Sequence, residues 1–365
     1  MKNKLADVVI IFGPEIWPLQ ENGGVSRYCY ELIRNLDLIG VNVRVLVGPN
    51  QNNYTSLIDP EIKISLNSLS ESEIIRGISG ALSKSKFGIY HSTYYDSTIV
   101  QIARRKGLKT VVTVHDLISD LFPTKIAWYR RRNSEQRRVV EQSDLVISVS
   151  QNTKSDLLEL NNINPDKIKV VPLGVTVFGD QLDSDTILER PYVLHVGKRA
   201  GYKNFIFTVE SIARCSELNE IKIVTFGGEE PSDDEHMAIH NLQMESRVSY
   251  FHGDDKFLGY LYKNASALVY PSLYEGFGIP PLEAMRLYCP VIASNRGSIP
   301  EVCGTYAKYF DPTLESSLQF QLKDLLESSD HSYLRKAYEH SLDFTWEKTA
   351  IETCSAYTVL VGEIK

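Results

Sequence analysis

The sequence predicts an α/β protein of two domains, each built around a parallel β-sheet. Short apolar runs rich in valine and isoleucine recur along the chain, and segments with helical periodicity separate them. One polar segment, residues 178–191, interrupts this alternation before it resumes. Continuous apolar strands that alternate with helices are typical of a parallel sheet covered on both faces.

The first series of predicted strands precedes the polar segment. Its members are VVIIFG (8–13), VRVLVG (43–48), TVVTVHD (110–116), DLVISVS (144–150) and IKVVPLGV (168–175). After the first strand, residues 26–40 place Cys29, Leu32 and Leu36 on one face of a helix.

The second series begins after the polar segment. Its members are YVLHVG (192–197), IKIVTFGG (221–228), VSYFHG (248–253), ALVYPS (267–272) and PVIAS (290–294). The two domains should therefore join near residues 176–190. At the end of the chain, residues 344–361 are amphipathic and predict a packed helix.

Composition excludes several classes of function. The 365 residues carry a formal charge of -7, which gives no support to a nucleic-acid partner. Five widely spaced cysteines without a CxxC pair indicate reduced thiols in a cytoplasmic protein, and neither a disulfide framework nor a zinc site. No stretch approaches the ~18 apolar residues of a membrane span.

Two candidate sites follow strands of the first domain, at the strand ends where parallel sheets bind ligands. Gly23 and Gly24 would allow the backbone to approach a phosphate or sugar, although an ordinary loop with Ser26 as a helix N-cap explains them better. His115 could donate to a substrate oxygen or move a proton. A capping or half-buried histidine is an equally good interpretation.

Residues 195–204, HVGKRAGYKN, form a basic loop after the first strand of the second domain. Lys198, Arg199 and Lys203 lie among glycines in a short turn that opens a helix. Three cations in such a turn are suited to binding a diphosphate. We favour this interpretation over the alternative, in which they are ordinary solvated charges of a loop.

Residues 270–285, YPSLYEGFGIPPLEAM, place two glutamates around a glycine-rich turn. Glu275 lies in the loop, and Glu283 lies in the opening turns of a helix that the two prolines begin. Both carboxylates could accept hydrogen bonds from sugar or ribose hydroxyls. Capping and dipole complementarity explain Glu283 equally well, but they do not explain Glu275.

Two other patterns are weaker. The pair Asp183-x-Asp185 has metal-binding spacing but follows no strand, so we expect no metal and no cofactor. The arginine run at 128–143 predicts a solvated helix face. The alternative is contact with an anionic membrane surface, because Trp128 and Tyr129 stand beside it.

These loops, in this order, resemble the family 4 retaining glycosyltransferases, which have the GT-B fold. The run EGFGIPPLE matches the family's E-x7-E signature, with Glu275 first and Glu283 second. VGKRAGYKNF (196–205) looks like the family's basic loop, while NGGVSRYCYELIRNL, TVVTVHDLI and SVSQNTKSDLLE match more loosely. The chain departs from the pattern at Lys198, where arginine is commoner, and at Tyr288-Cys289, where a Gly-Thr pair is common.

The resemblance implies two Rossmann-like domains that face a central cleft. The first would comprise residues 1–175 plus 344–365, with the C-terminal helix crossing back to it, and would lie on the acceptor side. The second, residues 176–343, would bind the nucleotide-sugar donor.

The resemblance also implies roles for individual residues. His115 and Glu275 would contact the transferred sugar, and Glu283 the donor ribose. The residues implied to bind the donor are Gly23, Gly24, Lys198, Arg199, Lys203, Gly276, Phe277, Gly278, Ile279 and Glu283. Which of Lys198 and Arg199 contacts the diphosphate stays open.

The expected reaction is transfer of a hexose, without a metal, from a GDP- or UDP-sugar. The GYKN form of the loop resembles bacterial polysaccharide mannosyltransferases and favours GDP-mannose. The acceptor would be a glycan or lipid-linked oligosaccharide of a surface polysaccharide, placing the enzyme in the cytoplasm or peripherally at the inner face of the membrane. The alternatives are a nucleotide-sugar 2-epimerase of the same fold and a catalytically silent nucleotide-sugar-binding subunit.

Overall fold

The computed structural model describes residues 5, 7–83, 85, 87–122, 127–176, 178–179, 188, 191–328 and 332–362, and for residues 127–130 it describes the backbone only. The chain forms two compact units. The first comprises Met1–Gly174 and Thr345–Lys365, and the second comprises Val175–Phe344. The chain passes between the units at two points, and at each of them the observed boundary lies one residue from the boundary given above.

Each unit contains one sheet in which all paired strands are parallel, so the predicted α/β class is confirmed. In the described residues the first sheet consists of β1 Val8–Phe12, β2 Val43–Val47, β3 Lys63–Ser65, β4 Phe87–Ser92, β5 Lys109–Val114, β6 Leu145–Ser148 and β7 Ile168–Val170. The second sheet consists of β8 Tyr192–Val196, β9 Lys222–Phe226, β10 Val248–Phe251, β11 Ala267–Tyr270, β12 Val291–Ser294 and β13 Lys308–Phe310.

Helices cover both sheets, and α1–α6 with α14 belong to the first unit. In chain order they are α1 Gly24–Leu38, α2 Glu71–Leu82, α3 Ser97–Arg105, α4 Ile118–Leu121, α5 Ala127–Gln142, α6 Gln151–Leu160, α7 Phe205–Ala213, α8 Asp233–Asn241, α9 Asp255–Asn264, α10 Ile279–Arg286, α11 Ile299–Cys303, α12 Glu315–Glu327, α13 Tyr333–Ser341 and α14 Trp346–Gly362.

The strand order reverses once in each sheet. The first sheet has the order β3-β2-β1-β4-β5-β6-β7, and the second has the order β10-β9-β8-β11-β12-β13. The loops that follow β1 and β4, and those that follow β8 and β11, therefore diverge at the carboxyl edge of their own sheet. Open parallel sheets bind ligands at such points.

Three strands, β3, β4 and β13, are absent from the sequence prediction. β4 lies in the middle of its sheet, yet its sequence FGIYHS lacks the valine and isoleucine run of its neighbours. His91 of this strand is buried, and both of its ring nitrogens have polar partners there: they lie 2.5 Å from the Tyr357 hydroxyl and 2.9 Å from Thr113 Oγ1. The first partner is 266 residues away in sequence, so local periodicity carried no sign of it.

The C-terminal helix crosses back to the first domain, as predicted. Ala350 and Tyr357 of α14 are fully buried there, and the Thr349 hydroxyl donates to the carbonyl oxygen of Pro172 at 2.8 Å. The backbone at Gly174 passes very close to Trp346. A Cβ on Gly174 would lie 2.3 Å from the backbone nitrogen of Trp346. Gly174 is therefore required for packing.

The predicted start of the first helix is wrong. α1 begins at Gly24 with Gly23 as its N-cap, and Ser26 lies inside the first turn. The Ser26 amide donates to Gln20 Oε1 at 3.1 Å, so a glutamine side chain from the preceding loop takes the capping role expected of Ser26.

Tyr288, one of the two departures from the family pattern, follows α10 with a φ of 56°. This left-handed conformation is unfavourable for residues with a Cβ. The Tyr288 ring stacks on Tyr338 at a centroid distance of 4.7 Å, a contact that offsets the strain.

We expect Tyr288→Ala to be less stable than Tyr288→Gly. Both variants lose the stacked ring, but only alanine keeps the left-handed strain, which costs about 1 kcal/mol. The melting temperature should therefore differ by about 2–4 °C in favour of glycine. At Lys336, an exposed position within α13, the order should reverse because glycine weakens helices. Equal melting temperatures for the two Tyr288 variants would contradict this interpretation.

Candidate active site

The basic loop of the second unit leaves β8 where the strand order reverses. It forms a short 3₁₀ turn, Gly201–Lys203, and ends at Asn204, whose φ is 57°. The Asn204 side-chain amide donates to the carbonyl oxygens of Pro271, at 3.2 Å, and Pro312, at 3.0 Å. These bonds tie the loop to the segment that follows β11.

The structure brings together two of the predicted site residues as an ion pair. Lys203 Nζ lies 2.7 Å from Glu275 Oε1, and the two side chains are only 13% and 9% exposed. The same ammonium lies 5.3 Å from the ring centroid of Tyr270 and 5.4 Å from that of Tyr202. Because desolvation offsets the attraction in a shielded pair, stability alone is a weak reason for placing these charges here.

The backbone around Glu275 is held by a second loop. Ser298 Oγ lies 2.9 Å from the Glu275 carbonyl oxygen and 2.8 Å from that of Phe277. Gly297, with a φ of 56°, packs directly against the Glu275 backbone. Gly297 and Ser298 are not among the residues predicted from the sequence. The pattern that could have indicated them is a Gly-Ser pair directly before a proline-containing helix.

The glycine-rich turn ends at the N-terminus of α10. Gly278 is the N-cap residue with a φ of 98°, Ile279 is the first helical residue, and prolines occupy the first turn. The Phe277 side chain is buried and packs edge-on against Phe344. Gly276 to Ile279 therefore present their backbone rather than side chains at the helix N-terminus, where amide groups favour anions.

Glu283 lies in the second turn of α10 and is 5% exposed. It accepts a hydrogen bond from the Tyr262 hydroxyl at 3.0 Å. Burial, together with the nearby Glu283 carboxylate, raises the pKa of Tyr262 well above its usual value. The first turn of α10 contains no acidic residue. Helix capping therefore does not explain Glu283.

Lys198 and Arg199 have different environments. The Arg199 guanidinium is buried and donates to Glu235 Oε1 at 2.7 Å, to the Gly227 carbonyl at 3.0 Å and to the Glu229 carbonyl. It thus anchors the loop after β8 to the loop after β9. The Lys198 side chain is 68% exposed and lies 3.3 Å from Glu229, a weak surface pair. Of the two, Lys198 is the one accessible to a ligand.

We also missed Gly227 and Gly228, which follow β9 with φ values of 77° and 83°. A Cβ on Gly228 would lie 2.9 Å from the Gly197 carbonyl oxygen and 3.0 Å from Arg199 Nη1. The two glycines therefore allow the loops after β8 and β9 to meet. A Gly-Gly pair directly after a predicted strand was the sequence signal.

The first unit carries His115 at the end of β5. Its half-buried ring packs edge-on against Tyr28 at 4.7 Å. Burial and the positive charge of Arg132 lower the pKa of His115 to about 4, so the imidazole is neutral at pH 7. The Tyr28 hydroxyl lies 2.9 Å from Thr113 Oγ1, which contacts His91, so buried side chains fix the ring that supports His115.

Gly23 and Gly24 begin α1 in the same unit. Gly23 has an extended backbone, with a φ of -174°, which any residue adopts. A Cβ on Gly24 would meet nothing within 4 Å, so this end of the helix is open. Gly24 therefore does not require glycine for packing, whereas a Cβ on Gly23 would lie 2.3 Å from Gln20 Oε1 and would displace the side chain that caps α1.

Other sequence expectations concern metals and membranes. Among the described residues, no three His, Cys, Asp or Glu side chains are grouped closely enough to hold a metal ion. Asp183 and Asp185 lie outside the described residues, as do the side chains of Trp128 and Tyr129. In the part of the chain that the structure describes, no helix combines the length and apolar character needed to cross a membrane.

Two family models match the chain in succession. The model described as Glycosyltransferase Family 4 matches residues 22–177, and the model described as Glycosyl transferases group 1 matches residues 181–340.

Several curated relatives with similar sequences are bacterial mannosyltransferases by name. The MMP α-(1→4)-mannosyltransferase of Mycolicibacterium hassiacum is 27% identical over 76% of this chain and 72% of the relative. The O-antigen chain mannosyltransferase RfbU of Salmonella typhimurium is 30% identical over 60% of this chain and 61% of the relative. The matched region thus covers less than two thirds of the second protein.

Solved structures share the fold over nearly the whole chain. Sucrose-phosphate synthase from Thermosynechococcus elongatus has a TM-score of 0.74 at 18% identity, covering 98% of this chain and 100% of that one. Anabaena HepE in complex with UDP and glucose has a TM-score of 0.76 at 15% identity, covering 96% and 99%. At this level of identity the likeness concerns the fold alone, and that fold is GT-B.

We expect Asn204→Asp to destabilise the second unit more than Asn204→Gly. Aspartate and glycine can both adopt the left-handed backbone. The side-chain amide of Asn204 donates to two carbonyl oxygens, and aspartate would replace this donor with a carboxylate oxygen that repels them. The cost should be about 1–3 kcal/mol relative to the glycine variant. Thermal unfolding at pH 7 measures the difference, and an aspartate variant as stable as the wild type would exclude the anchoring role of Asn204.

Proposed function

The chain belongs to the glycosyltransferases of the Glycosyltransferase Family 4 and Glycosyl transferases group 1 type, and from this premise we propose that it transfers a hexose with retention from a nucleotide-diphosphate sugar to a glycan or lipid-linked oligosaccharide. The observation that carries the proposal is the shielded Lys203–Glu275 pair at the carboxyl edge of the second sheet. It joins one group suited to a phosphate with one suited to sugar hydroxyls.

Lys203 and Lys198 are the proposed contacts to the donor diphosphate. The ammonium of Lys203 is held in place by Glu275 and Tyr270, while Lys198 is exposed and makes only a weak surface pair with Glu229. Backbone amides from Gly276 to Ile279 add the positive end of α10. These groups meet the negative charge that grows on the departing diphosphate, and in this proposal the transfer needs no metal. Arg199 holds the loop instead of contacting the donor.

Glu275 and Glu283 form the proposed clamp on the donor's hydroxyls. Glu275 would accept hydrogen bonds from the transferred sugar, and Glu283, held by Tyr262, would accept from the ribose. This assignment treats the two glutamates as binding groups rather than as a general acid and base. In the proposed retaining step, the leaving phosphate oxygen takes the proton of the acceptor hydroxyl while the new glycosidic bond forms on the same face.

His115, in the first unit, is the proposed further contact to the transferred sugar. Because the imidazole is neutral at pH 7, it donates one hydrogen bond to a sugar hydroxyl without adding positive charge beside an oxocarbenium-like sugar. Gly23 and Gly24, at the N-terminus of α1, are the proposed further contacts to the phosphates.

GDP-mannose is the proposed donor and a surface polysaccharide the proposed product. The GYKN loop and the mannosyltransferase names of the relatives favour mannose. The name of the O-antigen chain relative favours a growing glycan as acceptor. The proposed site of action is the cytoplasm, either in solution or peripherally at the inner face of the membrane.

A donor panel tests the reaction. Purified protein is incubated with a glycan acceptor and with GDP-mannose, UDP-glucose, UDP-galactose or ADP-glucose, with and without a chelator, and release of the nucleotide is measured alongside the anomeric configuration of the product. We expect turnover of GDP-mannose, unaffected by the chelator, with an α-linked product. A β-linked product would exclude retention, epimerisation at C2 would establish the epimerase alternative, and nucleotide binding without turnover would establish the silent subunit.

Lys203→Ala and Glu275→Ala should each lower kcat by about 10²- to 10³-fold, the loss typical of removing one group that stabilises a transition state. Lys323→Ala, which removes an exposed lysine paired with Glu217, is the matched control and should retain wild-type activity. Folding is checked by melting temperature. Activity within twofold of wild type in either site variant would remove that residue from the proposed site.

A further inference from the structure

In the Lys203–Glu275 ion pair, two of the proposed donor contacts bind each other. Lys203 Nζ lies 2.7 Å from Glu275 Oε1, and the two side chains are only 13% and 9% exposed. When one partner of a shielded ion pair is removed, the other is left as an uncompensated charge, which is strongly unfavourable. A ligand that takes one member of this pair must therefore also supply a new partner for the other.

The backbone on both sides of the pair is anchored. The side-chain amide of Asn204, the residue after Lys203, donates to two backbone carbonyl oxygens of other loops. Ser298 Oγ lies 2.9 Å from the Glu275 carbonyl oxygen. Lys203 and Glu275 can therefore change partners by rotating their side chains, without movement of the loops that carry them.

Tyr270 lies beside both members of the pair. It is the last residue of β11, is 1% exposed, and has its ring centroid 5.3 Å from Lys203 Nζ. Lys203 Nζ donates to the Tyr270 hydroxyl oxygen at 3.4 Å, so the hydroxyl can still donate its own proton. Burial and the charge of the neighbouring Glu275 carboxylate raise the pKa of Tyr270 well above its usual value. The hydroxyl is therefore protonated at neutral pH and can act as a donor to Glu275.

Aromatic rings stabilise the Lys203 ammonium independently of Glu275. The ring centroid of Tyr202 lies 5.4 Å from Lys203 Nζ and adds to the contribution of Tyr270. The Tyr270 ring also borders the glycine-rich turn, because a Cβ on Gly278 would lie 3.5 Å from Tyr270 Cε1. The ammonium therefore keeps favourable contacts when the Glu275 carboxylate turns to another partner.

A nucleotide diphosphate and an intact nucleotide sugar offer this pair different groups. A diphosphate can bind the Lys203 ammonium, but it leaves the Glu275 carboxylate without its cation and beside additional negative charge. A nucleotide sugar supplies phosphate oxygens for Lys203 and hydroxyl donors for Glu275 at the same time. Of the two ligands, the nucleotide sugar alone replaces both halves of the ion pair.

We propose that the Lys203–Glu275 pair and Tyr270 make the site selective for the intact nucleotide sugar over the nucleotide diphosphate that remains after transfer. Tyr270 acts as a positioning residue, because its hydroxyl donates to Glu275 when Lys203 turns to a phosphate. The selectivity favours release of the diphosphate once the sugar has left. This inference rests on the donor site proposed above, and it concerns how that site distinguishes substrate from product.

Isothermal titration calorimetry without an acceptor compares GDP with GDP-mannose and UDP with UDP-glucose. For the base that the site accepts, we expect the wild type to bind the nucleotide sugar at least about tenfold more tightly than the diphosphate, as coupled binding typically gives.

Glu275→Gln keeps the shape of the side chain and removes its charge. It should bind the diphosphate about tenfold more tightly than the wild type, because Lys203 no longer has to leave a carboxylate, and should lose most of the preference for the nucleotide sugar. Glu217→Gln, which changes an exposed glutamate paired with Lys323, is the matched control and should bind both ligands as the wild type does.

Tyr270→Phe removes the hydroxyl and keeps the ring. It should weaken diphosphate binding about tenfold, the change that corresponds to a lost hydrogen bond to a charged group, and should affect the nucleotide sugar less. In a Glu275→Gln background the same substitution should leave diphosphate binding unchanged, because the carboxylate that the hydroxyl serves is gone. Tyr192→Phe removes a buried hydroxyl that donates to the Leu261 carbonyl oxygen at 2.8 Å, and it controls for the loss of a buried tyrosine hydroxyl elsewhere in the sheet.

Three results would overturn the proposal: the wild type binds the diphosphate as tightly as the nucleotide sugar, Glu275→Gln weakens both ligands alike, or Tyr270→Phe behaves as Tyr192→Phe does. Melting temperatures verify that each variant is folded. The donor panel can fail independently of these results. Sugar transfer by a protein in which Glu275→Gln weakens both ligands would reject the selectivity and keep the reaction, whereas the expected selectivity in a protein that transfers no sugar would reject the reaction alone.

Discussion

Parallel strand pairing is the constraint on which both units depend. Every described strand pair in the two sheets is parallel, so each connection within a sheet must return across a face of that sheet, in most cases through a helix, and all loops that leave carboxyl ends emerge at one edge. Where the strand order reverses, between β1 and β4 and between β8 and β11, these loops diverge and leave room for a ligand. Most of the chemistry proposed for this enzyme lies in those loops, while His115 follows the neighbouring strand β5 and Glu283 lies in α10.

Buried polar contacts then fix the geometry at these edges. A buried polar group is costly unless it has a partner, so contacts such as Tyr357–His91 and Tyr262–Glu283 strongly favour one arrangement of the groups that make them. The same holds for the Lys203–Glu275 pair. One such chain of contacts runs from the C-terminal helix to the side chains beneath His115, so a helix from the end of the sequence supports the first domain's part of the proposed site.

Much of the fold was readable because parallel strands that are covered on both faces must be continuously apolar. The strands without this pattern were missed: β4 holds buried polar residues at the centre of its sheet, and β3 and β13 have only three residues each. In the second domain the glutamates and lysines stood out because they follow strands, and the Lys203–Glu275 contact emerged only from folding. The anchoring role of Arg199 was hidden for a different reason, since its partner Glu235 lies in another element, the first turn of α8.

By itself, the sequence determined the α/β class, the two-domain division and the membership of a glycosyltransferase family, because periodicity and short motifs are local properties of the chain. Only the tertiary structure decided which charged residue is buried and which is exposed, that Ser298 holds the Glu275 loop, and that the Tyr270 ring lies beside the Lys203 ammonium. These properties depend on partners from distant segments. The distances between such partners depend on how strands and helices pack. The residues that lie between the partners in the sequence do not reveal these distances.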